Sequence, residues 1–204
     1  MLTIDNLTLI KNNKTIFKNL GFSISTSSAL IIKGKNGSGK TTLLKIIAGI
    51  CKASSGKILW GNEDINNFRD DFTGDLQFIG HKNFLNQNLT ILQNLHFFTQ
   101  IYDSEPALLS ALNFFDLKKI KNYKIKNLSA GWQKKVMLAK LLACPSTIWI
   151  LDEPMVNLDK DCQQKLLGLI KTRIKENGIV ILTCHNNLLD ELGPKINIED
   201  FSDE

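Results

Sequence analysis

The stretch GKNGSGKT, from Gly34 to Thr41, has the residue types and spacing of a loop that binds phosphate. Its glycines let successive backbone N–H groups face one anion, and the helix that follows adds the positive end of its dipole. In this pattern Lys40 reaches the β- and γ-phosphates, and the Thr41 hydroxyl binds Mg²⁺. The stretch follows the apolar run SALIIK and opens KTTLLKIIAGI, which has helical spacing up to Gly49. This strand–loop–helix context predicts a nucleotide-binding site.

Two carboxylates lie in the segment TIWILDEP, from Thr147 to Pro154. A strand ending at Asp152 places its carboxylate at the C-terminal edge of a parallel sheet, where a phosphate loop also lies. Asp152 is therefore a candidate Mg²⁺ ligand. Pro154 disfavours the αR conformation of Glu153, so we expect Glu153 to be extended and to polarise a water in line with the γ-phosphate. The alternative is an acidic turn without chemistry.

A serine and a glycine open the helix predicted within NLSAGWQKK, from Asn127 to Lys135. Taken alone, Ser129 is an ordinary N-cap residue, because a serine oxygen accepts hydrogen bonds from the first helical amides. The same helix end could instead face a phosphate, since its amides and its dipole attract anions. These residues by themselves leave both interpretations open.

The elements around these segments alternate in type. TLIKNNKTIFKNLGFSIS predicts an antiparallel hairpin, and Thr90 with Gln93 has capping-box spacing before a helical region. TIWIL and GIVILTC are apolar runs separated by the helical QQKLLGLIKTRIKEN. Strands that are apolar on both faces and alternate with helices predict an α/β fold with a mostly parallel sheet. We interpret residues 84–144 as a helical lobe inserted into one domain, residues 1–204.

Length and composition restrict the class of protein. A chain of 204 residues suits one domain, and its sequence predicts neither a membrane span nor a secretory signal. Four scattered cysteines argue against a disulfide or metal framework and favour a reducing cytosol. The net charge of +5 is concentrated in LKKIKNYKIK, residues 117–126. A solvated face explains that run as well as an anionic partner does, and we expect no nucleic-acid partner.

The motifs GKNGSGKT, LSAGW, ILDEP, NLD and TCH occur in one order with characteristic gaps. Over almost its whole length the chain resembles the nucleotide-binding domain of ATP-binding cassette (ABC) proteins. The resemblance implies a P-loop NTPase core with an N-terminal antiparallel β-subdomain and an inserted helical lobe. It implies ATP and Mg²⁺ as cofactors, and ATP hydrolysis that energises a separate integral membrane subunit. It also implies a homodimer, and the branch of the family named below adds a peripheral location at the cytoplasmic face of the bacterial inner membrane.

The resemblance also assigns residues to the two faces of the ATP site. The serine and glycine of the family signature LSGGQ contact the γ-phosphate held by the other subunit, so Ser129 and Gly131 would meet ATP held by a second copy. Asp159 matches an aspartate that shapes the dimer interface. The residues implied to bind ATP in the same chain are Gly34, Lys35, Asn36, Gly37, Ser38, Gly39, Lys40, Thr41 and Thr42.

For the chemical step, the resemblance implies Glu153 and His185 as catalytic residues and Thr41 and Asp152 as Mg²⁺ ligands. His185 matches the switch histidine, which hydrogen-bonds the γ-phosphate. The chain departs from the family at two positions: Trp132 replaces the signature glutamine, and His81 stands at the Q-loop position where glutamine is usual.

Several pieces resemble one branch of the family. FIGHKN, LTILQNLHFF, TIWILDEP and GIVILTCHNNLL are similar to the ATP-binding subunit of bacterial haem exporters for cytochrome c maturation. An ABC subunit of another small-molecule transporter and a soluble ABC ATPase are the alternatives. A small P-loop kinase would share Lys40 and Asp152 but has no need of LSAG before ILDEP.

Overall fold

A computed structural model describes residues 1–81, 84–184 and 187–202 of the chain. Its helices and strands confirm an α/β fold. The strands are β1 Leu2–Lys11, β2 Lys14–Ile24, β3 Ser28–Lys33, β4 Ser55–Trp60, β5 Glu63–Asp64, β6 Leu76–Ile79, β7 Ile148–Leu151, β8 Ile179–Thr183 and β9 Lys195–Asn197. The α-helices are α1 Lys40–Ile47, α2 Arg69–Gly74, α3 Ile91–Ile101, α4 Ala107–Phe114, α5 Ala130–Ala143 and α6 Lys160–Lys175.

A five-stranded sheet in the order β6-β7-β8-β3-β9 forms the centre of the fold, and its strand pairs are parallel. Its inner strands β7, β8 and β3 are apolar on both faces because each face packs on a separate core. In β7, Trp149 and Leu151 face one core, whereas Ile148 and Ile150 face the other. The continuous apolar runs of the sequence are the direct consequence of this two-sided burial.

The second sheet, β2-β1-β4-β5, is antiparallel and contains the predicted hairpin. Asn12 and Asn13 form the hairpin turn with positive φ angles of 51° and 59°, which asparagine tolerates better than most residues. This sheet and α1 share one core with the central sheet. Gly49 follows the end of α1 with a φ of 71°, as predicted for a residue just beyond a helix.

The remaining helices of the middle of the chain, α3, α4 and α5, pack on the opposite face of the central sheet. The capping box predicted for α3 is present: the Gln93 amide donates to Thr90 Oγ1, and the Thr90 amide donates to Gln93 Oε1. The loop before α3 is paired with the segment before α5, since the Ile125 amide donates to Leu89 O at 3.0 Å.

The sequence analysis did not identify α2, β6 or β9, which are short.

Candidate functional site

The carboxyl ends of the parallel strands meet at one edge of the central sheet. The loop after β3 leads into α1, β7 ends just before Asp152 and Glu153, β8 ends at Thr183, and His81 follows β6. Parallel pairing alone places these ends together, because neighbouring strands run in the same direction. The phosphate loop, the pair Asp152 and Glu153, and His81 therefore share one site, although they are far apart in the sequence.

Gly39 shapes the phosphate loop at the point where α1 begins. It is the N-cap of α1 in a left-handed conformation, with φ at 101°. A side chain there would also collide with its surroundings, because a Cβ atom would lie 2.5 Å from Ile16 Cγ2. Glycine is thus required both by the backbone angle and by close packing against the first hairpin.

Lys40 is nearly buried, with 6% of its surface exposed, although it carries a charge. Its ammonium folds over the loop and donates to Gly34 O at 2.7 Å and to Lys35 O at 2.8 Å. These carbonyl contacts hold the charge at the loop, where a phosphate group would also face the α1 N-terminus.

Asp152 links the phosphate loop to the neighbouring strand ends. Its side chain is 1% exposed, and each carboxylate oxygen accepts a hydrogen bond from a threonine. Thr41 Oγ1 donates to Oδ2 at 2.8 Å, and Thr183 Oγ1 donates to Oδ1 at 2.8 Å. A buried carboxylate without such donors would be strongly disfavoured. The predicted proximity of Thr41 and Asp152 is thus present, while the part of Thr183 was not anticipated.

The backbone of Glu153 differs from the prediction. Instead of being extended, it has a φ of 47°, in the left-handed region that non-glycine residues rarely adopt. Its amide donates to Thr183 Oγ1 at 2.9 Å, and this tertiary hydrogen bond outweighs the local preference of a residue before proline. The carboxylate lies 3.5 Å from His81 Nε2, measured between Oε2 and the ring nitrogen.

The phosphate loop, His81 and Glu153 line one open cleft of about 290 Å³. The position of His81 on its wall was not evident from the sequence, which indicated only where along the chain this histidine falls. The cleft thus joins the phosphate loop to the candidate base. Its lining residues are Asn36, Gly37, Gly39, Lys40, Thr41, Thr42, His81 and Glu153.

The start of α5 is exposed and is capped by a serine side chain. Ser129 is exposed, and its oxygen accepts a long hydrogen bond, 3.4 Å, from the Trp132 amide. Gly131 lies against the loop after β7, where a Cβ atom would be 2.9 Å from Asn157 O. Neither residue is among the described residues that line the cleft of the same chain.

Residues 17–156 match the sequence pattern of the ABC transporter family, which is more than half of the chain. The chain belongs to the ABC transporter family. Two curated relatives are both named cytochrome c biogenesis ATP-binding export protein CcmA. The protein from Wolbachia pipientis is 37% identical over 92% of this chain and 90% of its own length. The protein from Aliivibrio fischeri is 40% identical over 92% of this chain and 93% of its own length.

Solved structures agree with this membership in the ABC transporter family. An ABC transporter ATP-binding protein from Pyrococcus furiosus has a TM-score of 0.84 and 26% identity, with 99% of both chains covered. A bacterial ABC transporter cassette determined as a dimer has a TM-score of 0.85 and 25% identity, with 97% of this chain and 94% of that chain covered. The chain therefore has the fold of an ABC ATPase, an enzyme that binds and hydrolyses ATP.

In this ABC ATPase the signature helix α5 is tied to the loop before α6. Lys135 Nζ lies 2.7 Å from Asp159 Oδ2, and Asp159 Oδ1 accepts from the Cys162 amide as the N-cap of α6. The hydrogen bonds from Lys135 and from the Cys162 amide hold the pKa of Asp159 below its usual value. Asp159 thus has a role within its own chain, in addition to the dimer role that the resemblance implied.

Lys134 is a charged residue of the signature helix that the sequence analysis missed. It is 9% exposed and lines a small cleft with His81 and Asn157. Burial lowers its pKa, and the negative charges of Asp152 and Glu153 act in the opposite direction. Its position among other polar residues of a helix did not indicate that it is buried near two carboxylates. Helical periodicity does not show which side chains a distant strand brings close.

Two other findings bear on the sequence predictions. His185, the expected switch histidine, lies outside the described residues. Within the described ranges, no helix combines the length and the apolar character that crossing a bilayer would require.

Lys40→Met should lower the affinity of the chain for ATP about 10- to 100-fold, because charge-assisted hydrogen bonds to phosphate contribute roughly 1.5–3 kcal/mol. Isothermal calorimetry with ATP measures the change, and methionine keeps the length of the side chain. Lys45→Met, in the last turn of the same helix, is the control and should leave the affinity unaltered. Equal ATP dissociation constants for Lys40→Met and the wild type would contradict the role of Lys40.

Proposed function

We propose that this ABC ATPase works as a homodimer in which each chain holds one ATP through its phosphate loop. The hydrogen bond between Thr41 and Asp152 is the observation that supports the ATP site of each chain, because it joins the two residues that we expect to hold Mg²⁺. A hydroxyl and a carboxylate are the hard oxygen donors that Mg²⁺ prefers, usually with phosphate oxygens and water. The two side chains therefore suit this ion.

We assign each candidate residue one part of the chemical step. Lys40 and the amides of the phosphate loop bind the β- and γ-phosphates, and Thr41 with Asp152 holds Mg²⁺. When bound, Mg²⁺ offsets the negative charge on the phosphate oxygens. Glu153 accepts a proton from the attacking water as that water approaches the γ-phosphate, and His185 donates a hydrogen bond to this phosphate.

The second half of each site comes from the partner chain. Ser129 and Gly131 lie at an exposed helix start, and α5 has no acidic residue in its first turn that would repel a phosphate. A second copy with its signature helix over the cleft would complete the anion site. The ion pair between Lys135 and Asp159 joins the signature helix to the loop before α6 in each chain, and we expect both segments to face the partner.

Within the family, we assign the chain to the ATP-binding subunit of an exporter for c-type cytochrome biogenesis. Relatives with that printed name match more than nine-tenths of the chain at 37–40% identity. The chain then binds a separate integral membrane subunit at the cytoplasmic face of the bacterial inner membrane and energises haem export. The residues of the ATP cleft do not contact the cargo, which is bound by the membrane subunit.

The proposal of a shared site predicts complementation between two inactive chains. Ser129→Ala should bind ATP as a monomer but lose ATPase activity. Lys40→Met should lose ATPase activity because its phosphate loop binds ATP weakly. A mixed dimer contains one site with both residues intact, so mixing the two variants should restore hydrolysis in a steady-state phosphate-release assay.

Thr90→Ala is the matched control for the loss of a helix cap, which typically costs about 1 kcal/mol. It removes the cap of α3 and should reduce stability without reducing ATPase activity. Wild-type activity in Ser129→Ala alone would contradict the shared site and would reduce Ser129 to a cap.

The assignment to cytochrome c biogenesis predicts a cellular phenotype. A source strain that carries only the Lys40→Met chain should lose c-type cytochromes, because export would have no ATP-driven step, while b-type cytochromes remain. Peroxidase staining of covalently bound haem in gels measures this loss, with Lys45→Met as the control. Normal c-type cytochromes in the Lys40→Met strain would favour a different transporter or a soluble ABC ATPase.

A further inference from the structure

Thr183 lies at the centre of the site, although the sequence analysis gave it no role within the TCH motif. It is the last residue of β8, the strand between the phosphate-loop strand β3 and the carboxylate strand β7. It pairs with Ile32 of β3, while the preceding residue, Leu182, pairs with Leu151 of β7. The register therefore sets Thr183 beside Asp152 on one side and beside the start of the phosphate loop on the other.

The Thr183 hydroxyl makes two contacts at once and is fully buried. It donates to Asp152 Oδ1 at 2.8 Å and accepts the Glu153 amide at 2.9 Å. A hydroxyl can serve both groups because it has one donor and two acceptor positions, whereas valine of the same shape can serve neither. The two residues expected to hold Mg²⁺ and to activate water thus depend on one oxygen atom.

Each contact restrains a different degree of freedom. The bond to Oδ1 fixes the plane of the Asp152 carboxylate, so that Oδ2 stays directed at Thr41 of α1. The bond from the Glu153 amide supports a backbone angle, φ of 47°, that a residue with a side chain rarely adopts. A change in that angle would turn the Glu153 carboxylate away from the cleft.

We propose that Thr183 is a positioning residue for ATP hydrolysis, which orients Asp152 toward Mg²⁺ and Glu153 toward water through its single hydroxyl. The proposal rests on the proposed roles of Asp152 and Glu153. In this proposal Thr183 touches neither the γ-phosphate nor the attacking water, and it acts only through Asp152 and Glu153. A purely structural role would require only the volume of its side chain, which valine reproduces.

The test compares Thr183→Val with Thr183→Ser in the full chain. Removing a group that orients a metal ligand typically costs about 10- to 100-fold in metal affinity or activity, so Thr183→Val should lose that much in kcat. Calorimetry supplies a readout that does not depend on turnover: the affinity for ATP in EDTA should stay within about twofold of the wild type, because Lys40 is untouched. The increase in ATP affinity on adding Mg²⁺ should be smaller in Thr183→Val than in the wild type. Thr183→Ser keeps the hydroxyl and should restore both properties.

The matched control is Thr99→Val in α3, which removes another fully buried threonine hydroxyl far along the chain from the site. It should leave kcat and the Mg²⁺ effect unchanged. If Thr183→Val does not fold, Thr183→Ser and Thr183→Ala carry the test, since these two differ by the hydroxyl alone. Melting curves identify the folded variants.

Two results would overturn the proposal: a wild-type kcat and Mg²⁺ effect in Thr183→Val, or equal impairment of Thr183→Ser and the variant without a hydroxyl. Glu153→Gln, measured in the same assays, distinguishes a failure of the Thr183 proposal from a failure of the proposed function. Turnover near the wild-type rate in Glu153→Gln would remove Glu153 as the base. The effect of Thr183 on Mg²⁺-dependent binding would still be decided by calorimetry.

Discussion

A buried carboxylate held by two threonines organises this protein. Asp152 is almost inaccessible to solvent and accepts hydrogen bonds from Thr41 in α1 and from Thr183 in β8. Because an unpaired buried carboxylate is costly, these bonds constrain how the phosphate loop and the ends of two strands can lie relative to each other. The same constraint that stabilises the edge of the sheet also sets the geometry of the ATP site.

The central sheet separates two hydrophobic cores. One core joins the sheet to α1 and the antiparallel strands, and the other joins it to the helices of residues 84–144. On the helical side, Lys134 of α5 is nearly buried near Asp152 and Glu153, and the next residue, Lys135, pairs with Asp159 at the start of α6.

Much of this arrangement could be predicted from the sequence because the signals were local or periodic. The capping box at Thr90, the glycine after α1 and the two-sided apolar strands each depend on neighbouring residues, and the structure confirms them. Parallel strand ends also predicted correctly that Thr41 and Asp152 meet. The family resemblance added roles for Ser129 and Gly131, which no local pattern could have provided.

The features that escaped prediction depend on contacts between distant parts of the chain. Thr183 reaches Asp152 across 31 positions of sequence, and it fixes a backbone angle at Glu153 that contradicts the expectation from Pro154. The 3.5 Å approach of His81 to Glu153 likewise follows from the pairing of β6 with β7. Such contacts leave no periodic trace, since each involves one side chain at the end of a strand.

The most direct test of the central claim is a crystal structure of Glu153→Gln with ATP and Mg²⁺, because slow hydrolysis should preserve the bound nucleotide. We predict a two-fold symmetric dimer, with each γ-phosphate between Lys40 of one chain and Ser129 and Gly131 of the other. Mg²⁺ should contact Thr41, and Asp152 should remain bonded to Thr183. ATP bound by an isolated chain at high protein concentration, with Ser129 exposed to solvent, would contradict the account.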